Sequence, residues 1–349
     1  METRYLRVAD GRPDHEGMEE AGQIIKSGGL VAFPTETVYG LGGDALNPES
    51  SRKIYAAKGR PSDNPLIVHI SRVEDMACLV REVTPEAKKL AEKFWPGPLT
   101  MILPKSELVP RETTGGLDTV AVRFPSHPVA QEFIRAAGGF VAAPSANTSG
   151  KPSPTQAKYV AEDMDGKIEM IIDGGAVGIG LESTIIDLSG DKPMILRPGY
   201  ITQQMLEDVL KEVEVDRTIL EDACGVAPKA PGMKYRHYAP KGELTIIEGA
   251  PEAVVAKINE LTKQAMAAGE KVGIIGTQET VARYRADSIK NAGARTDEAA
   301  IARNLYTILR EFDDESMTVM YSESFETAGM GQAIMNRLLK AAGHKIIKV

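Results

Sequence analysis

Cysteine is almost missing from this chain. Cys78 and Cys224 are the two present in 349 residues, and neither belongs to a Cys-x-x-Cys pair or a Cys/His cluster. That argues against a disulfide framework and against a structural zinc site, and two isolated buried thiols are expected. Also lacking is any stretch approaching the ~18 apolar residues of a membrane span. The N-terminus METRYLRVADGRPDHEG has no basic start followed by an apolar run, so no secretory signal is expected and the cytoplasm is the expected location. Positive charge is in deficit as well: 41 Lys and Arg against 49 Asp and Glu give a formal net charge of −8. Non-specific binding of nucleic acid draws on Lys and Arg neutralising phosphates, so the balance favours a small ligand. Apolar residues at 42% and charged residues at 26% are those of a globular protein, long enough for about two domains.

Two tracts of strand and helix signals flank a basic linker. In the first, GGLVAFPTETVYG, PLIVHI, LTMILP, TVAVRFP, GGFVAAPSAN, IEMIIDGG and STIIDL read as strands bounded by Gly or Pro. NPESSRKIYAAKGRP predicts a helix with Pro48 in its first turn and Gly59 as its stop, and TPEAKKLAEKF one capped by Thr84. In the second tract ELTIIEG, KVGIIGT and MTVMYSES read as strands, and EAVVAKINELTKQAMAAG, EAAIARNLYTILREF and GQAIMNRLLKAAG as helices. That alternation favours a three-layer domain on a mainly parallel sheet. VGIIGT lacks the G-x-G-x-x-G fingerprint and reads as scaffold. The linker KAPGMKYRHYAPKG carries Lys229, Lys234, Arg236 and Lys241 with no acid. It is either a proline-rich tether or a segment that covers an anionic ligand, and its density of cations and aromatic donors favours the second.

Common catalytic signatures fail. NTSGKPS has Pro152 where a phosphate loop needs Ser or Thr, there is no G-x-S-x-G or H-E-x-x-H, and the histidines show no ligand spacing. No metal held by protein side chains is therefore expected. What remains are polar residues at strand exits, where open α/β sheets hold their ligands. Thr35 and Tyr39 follow the strand LVAF. Lys58 and Arg60 flank a helix stop, either gripping a polyphosphate or carboxylate or merely answering the helix dipole in solvent. Ser145 and Asn147 form either a ligand cradle or a plain polar turn. Arg123 shares a strand face with Thr119 and Ala121, Ser183 and Thr184 open a strand, Arg197 closes one, and His69 ends PLIVHI. Singly, none of these decides a function.

Together, PTETVYGLG, KGRPxxNPL, PSANxSGxPSPT, LESTIID, LRPG and PGMKYRHYAP resemble the YrdC-like family in its long, two-domain form. The resemblance implies an α/β fold: a YrdC-like open twisted sheet with a concave basic cavity (residues 1–208), a linker covering the active site (209–242) and a smaller Rossmann-like three-layer domain (243–349). The activity it implies is adenylyl transfer that joins L-threonine, bicarbonate and ATP into threonylcarbamoyl-AMP and pyrophosphate. That is the first step toward threonylcarbamoyladenosine in tRNA, with final attachment left to separate transferase proteins, so neither strong direct tRNA binding nor a membrane is expected. By motif, Lys58, Arg60, Ser145 and Asn147 match the catalytic positions. Lys58, Ser62, Thr119, Ser145, Ser153 and Arg197, with Tyr235 and Arg236, match the ATP positions. Thr35, Tyr39, His69, Arg123, Ala143 and Ser183 match the threonine pocket, and Lys234, Tyr235, Arg236, His237 and Tyr238 the linker lid. Mg²⁺ is expected to arrive with ATP. The alternative is a YrdC-like module that binds RNA or nucleotide without turnover. A carbamoyl transferase of hydrogenase maturation is disfavoured, because its zinc-finger cysteines have no counterpart here.

Overall fold

Residues 2–8, 13–216, 219 and 238–349 are described by a computed structural model. The chain divides into two units: Met1–Ser149 with Ser153–Lys234, and Gly150–Pro152 with Tyr235–Val349. In chain order the first unit runs β1 (Arg4–Arg7), α1 (His15–Lys26), β2 (Val31–Phe33), β3 (Gly40–Asp44), α2 (Pro48–Lys58), β4 (Ile67–His69), α3 (Met76–Leu79), α4 (Pro85–Phe94), β5 (Leu99–Pro104) and β6 (Thr119–Arg123). It continues with α5 (Pro128–Ala136), β7 (Val141–Ala142), α6 (Ala157–Met164), β8 (Met170–Asp173), β9 (Thr184–Asp187), β10 (Met194–Arg197), α7 (Gln203–Leu210) and β11 (Glu214–Val215). Its strands form one mixed sheet in the order β1-β8-β2-β3-β7-β4-β6-β5-β9-β10-β11.

Alternation along the strands puts cores on both faces. Val31 and Phe33 of β2 join Met18 and Ile25 of α1 and Phe133 and Ile134 of α5, whereas Ala32 joins the core that holds Ile54 of α2, Leu90 of α4 and Val160 of α6. Each large side chain so buried contributes about 1.5–3 kcal/mol. Over β4, β6, β5 and β9, Val68, Val120, Val122, Met101 and Ile186 belong to that second core. Their neighbours Ile67, Ala121, Ile102 and Ile185 form, with Leu196, a separate small patch. By the same alternation the patch lies on the opposite face.

The expected helices form for the expected reasons. Asn47 accepts a hydrogen bond from the Glu49 amide (3.0 Å), Pro48 starts α2, and Gly59 ends it with a left-handed backbone, φ 64°. Thr84 caps α4 by accepting from Ala87 N at 3.2 Å. Two expectations are corrected. Cys78 is exposed, because the short α3 turns Met76 and Leu79 inward and leaves Cys78 outside; Cys224 lies outside the described residues. The first unit also continues past residue 208: Leu206 of α7 and Val213 are buried in its core, and β11 pairs with β10.

The second unit runs β12 (Glu243–Glu248), α8 (Pro251–Ala267), β13 (Val272–Gly276), β14 (Ser288–Asn291), α9 (Glu298–Asp314), β15 (Val319–Glu323), α10 (Gly331–Ala341) and β16 (Ile346–Lys348). Its sheet, β14-β13-β15-β12-β16, is parallel throughout. Val272 and Ile274 pack with Val254 and Ile258 of α8. A Cβ on Gly273, between them, would stand 2.8 Å from the Phe312 ring of α9. The sheet is thus covered on both faces, the three layers that the alternation predicts, and β13 is scaffold. Gly273→Ala should destabilise this unit by about 1–3 kcal/mol through overpacking. Denaturant unfolding should also find Phe312→Leu less costly in that background than alone; additive losses would contradict the close approach.

Candidate functional site

Sheet register builds a row of polar side chains in the first unit. His69 at the end of β4 and Thr100 at the start of β5 are both register partners of Arg123 at the end of β6. The Thr100 and Ser183 hydroxyls lie 2.7 Å apart, and Arg197 donates from Nη2 to Ser183 Oγ (3.2 Å) and from Nε to Ser183 O (3.1 Å). All five are buried. His69 pairs its Nδ1 with Ile67 O at 3.1 Å. Burial first, then the Arg123 and Arg197 charges, push its pKa from 6.5 down to about 3, so the ring is neutral at physiological pH. Thr119 opens the strand that Arg123 closes, on the same face and roughly 13 Å away at strand rise.

A second assembly joins three loops. Ala146 N donates to Tyr39 O, Leu41 N to Pro144 O (both 2.8 Å), Tyr39 N to Pro154 O and Ser149 N to Lys58 O (both 2.9 Å). This zips the turn after β2 and the end of α2 to the segment after β7. Into that seam Lys58 extends its ammonium, donating to the carbonyls of Ser145 and Asn147. Ser145 Oγ donates to Asn147 Oδ1 at 2.5 Å, and Asn147 Nδ2 to Thr148 O at 2.9 Å. Arg60, turned by Gly59, folds onto Asn64 O (3.2 Å) and Pro65 O (3.1 Å) and is buried. Both cations are therefore integral to the loop framework, each bonding to backbone carbonyls within it.

The other expected residues take varied places. Thr35 Oγ1 donates to Val38 O (2.7 Å) and shapes the turn that carries Glu36. Tyr39 is fully buried, and its hydroxyl donates to Gly175 O (2.7 Å) and accepts from Gly174 N (3.2 Å); burial raises its pKa. Ala143 is buried beside β4, donating its amide to Ile67 O at 2.8 Å. Ser153 donates to the buried Glu182 carboxylate at 2.6 Å. Ser62 is exposed, in a groove of about 540 Å³ lined by Tyr55, Arg111 and Gly115 and apart from the row. Lys234, Tyr235, Arg236 and His237 lie outside the described residues. Tyr238 is buried in the second unit, its ring stacked on Tyr306 at 5.2 Å with the Arg337 guanidinium 5.9 Å from its centroid. Sequence reasoning missed Glu36, Thr100 and Glu182. Two of them stand inside the quoted strings PTETVYG and LESTIID, but as acids they gave no signal while anion-binding groups were sought.

A family described as Telomere recombination matches residues 23–199, and the family of the threonylcarbamoyl-AMP synthase C-terminal domain matches residues 201–343. The Threonylcarbamoyl-AMP synthase of Pyrococcus abyssi is 51% identical over 94% of this chain and 95% of its own length. That of Bacillus subtilis is 47% identical over 94% of each. The solved structure of P. abyssi Sua5 complexed with L-threonine superposes with a TM-score of 0.93, at 47% identity and over 100% of both chains. By its two family matches in series, and by relatives that it matches nearly end to end, the chain belongs to the threonylcarbamoyl-AMP synthase family in its two-domain form.

Proposed function

We propose that the chain condenses L-threonine with bicarbonate and transfers the adenylyl group of ATP onto the carbamate formed. The carrying observation is Arg123, a buried guanidinium at a strand end whose Nε and Nη2 have no hydrogen-bond partner among the described residues. Two donors in a fork match a carboxylate, which every free amino acid presents. The threonine complex of the 47% identical relative supports threonine as that amino acid. In this reading Arg123, His69, Ser183, Thr35 and Ala143 surround threonine. Lys58, Arg60, Ser145, Asn147, Ser153, Thr119 and Arg197 form the nucleotide side.

The chemistry asks little of the protein covalently. The threonine amine and bicarbonate lose water to give the carbamate; a carbamate oxygen attacks the α-phosphorus of ATP, and the bond to pyrophosphate breaks. Nucleophile and leaving group both belong to substrates, and Mg²⁺ enters on the polyphosphate as part of the ATP substrate. The protein positions the reactants and compensates charge. The mixed anhydride product is suited to a separate transferase that carries it to tRNA. No helix among the described residues is long and apolar enough to cross a membrane.

Pyrophosphate release by the purified chain should require threonine and bicarbonate together; nucleotide binding without threonine-dependent release would favour a module without turnover. Lys58→Ala strips the acceptor carbonyls of Ser145 and Asn147 of their donor, and should lower kcat/KM by about 100-fold through misplacement of that loop. His69 supplies a pH test. The unfolded chain takes up its proton near pH 6.5 and the folded chain near 3, so its stabilising effect is full above 6.5 and falls toward 3, at most about 1.4 kcal/mol per pH unit. Urea midpoints should therefore drop more between pH 7 and 5 in the wild type than in His69→Gln.

A further inference from the structure

The turn after β2 carries an acid that the proposed mechanism leaves unused. Glu36 Oε1 lies 2.8 Å from Arg123 Nη2, with side-chain exposures of 13% and 5%. Despite that proximity the two are poorly aligned. Among the described residues neither Glu36 oxygen finds a hydrogen-bond partner, nor does Arg123 Nε or Nη2, although all four atoms are buried. Arg60 and Arg197, by contrast, direct their N–H groups at protein oxygens within 3.2 Å. A buried ion pair offsets its desolvation only with good geometry and further hydrogen bonds. This one lacks both, in a backbone held firm by Ile179 N donating to Glu36 O (2.9 Å) and Gly180 N to Thr37 O (3.1 Å). Among the described residues His127 also faces Glu36; its Nδ1 is buried and finds no partner there, and its pKa is lowered by burial more than the Glu36 charge raises it.

We propose that Glu36 is the amine-side recognition residue of the amino-acid pocket, occupying Arg123 in the empty site and receiving the substrate's amino group in the filled one. A zwitterionic amino acid is the complement of a guanidinium and a carboxylate side by side: its carboxylate takes the Arg123 fork, and its ammonium takes the released Glu36. The exchange keeps net charge constant, supplies the missing hydrogen bonds on both partners, and disfavours carboxylic acids without an amine, which would strand a buried carboxylate. In the condensation the ammonium first passes a proton to the Glu36 carboxylate, and the same contact then aims the neutral nitrogen, which forms its N–C bond to the bicarbonate carbon as water leaves. The inference rests on the reading of the substrate as threonine.

The test crosses the Glu36 carboxylate with the substrate amine. Threonine and its deaminated analogue 3-hydroxybutyrate are compared as ligands of the wild type and of Glu36→Gln, with ATP held constant. Glu36→Asp serves as the charge-keeping control, and thermal melting verifies that each variant is folded. Removing the amine should weaken binding about 10- to 100-fold more in the wild type than in Glu36→Gln, the range of a hydrogen bond to a charged group. The threonine KM should rise in Glu36→Gln and be partly restored in Glu36→Asp, while the KM for ATP stays unchanged. Equal penalties for amine removal in both proteins, or parallel rises of the two KM values, would overturn the role of Glu36 while threonine-dependent pyrophosphate release in the wild type still stands. Absence of that release in the wild type would sink the underlying reading instead.

Discussion

An ammonium group taken almost wholly out of water has to be met by oxygen acceptors, and much of the first unit answers that demand at Lys58, which is 2% exposed. Its acceptors are the carbonyls of Ser145 and Asn147, from a loop 87 residues further along the chain. They reach it because α2 is cut off at Gly59 and because the segment after β7 is bonded to the chain at Tyr39, Leu41 and Lys58. The motifs K-x-R and S-x-N are thus one object: the first supplies the cation, and the second the carbonyls that make its burial tolerable. A lysine in the last turn of a helix is ordinarily a mild dipole effect at the surface. Here it is a cross-link between two loops.

The same sheet that builds the core dictates the polar row. Ala121 between Val120 and Val122 points to the small patch while its neighbours face the main core, and Arg123 inherits the patch side by parity. Slipping β6 by one residue against β4 and β5 would drive the guanidinium among Val68 and Met101 and turn two valines to the opposite side. Register is therefore enforced from both directions, by apolar residues that must be buried and by a cation that must not enter their core.

Legibility followed local signal strength. The helix from Pro48 to Lys58 declared itself through Asn47, Pro48 and Gly59, and the second unit through three strongly apolar strands alternating with long amphipathic helices. By contrast β3 is the glycine-rich GLGGD, and β14 and β16 are short strands at the edges of the second sheet, so none shows the apolar alternation on which a strand reading depends. α1 gives no clear helix signal, because Gly17 and Gly22 interrupt an otherwise amphipathic pattern. In the site, motif strings marked positions without revealing roles. Tyr39, expected in a substrate pocket, has its hydroxyl tethering the turn at Gly174 and Gly175. Lys58 and Arg60, expected to grip an anion, also bond to loop carbonyls. Such roles depend on partners dozens of residues away, which spacing within a motif cannot encode.

The disposition of charge resolves the composition. With a formal net charge of −8 the chain is a poor electrostatic target for a polyanion, yet Lys58, Arg60, Arg123 and Arg197 are all buried. Two opposite charges 4 Å apart interact by about 1 kcal/mol in bulk water and about 4 kcal/mol at the effective dielectric of a protein site. A cation held inside therefore does more for a small anion admitted to it than several on the surface do for a nucleic acid backbone, whose attraction salt largely screens. Keeping the positive groups within the fold and the negative excess distributed over the chain separates the two classes of phosphate ligand. In the proposed reading the ligand is a nucleotide, small enough to reach interior charges that a nucleic acid backbone cannot.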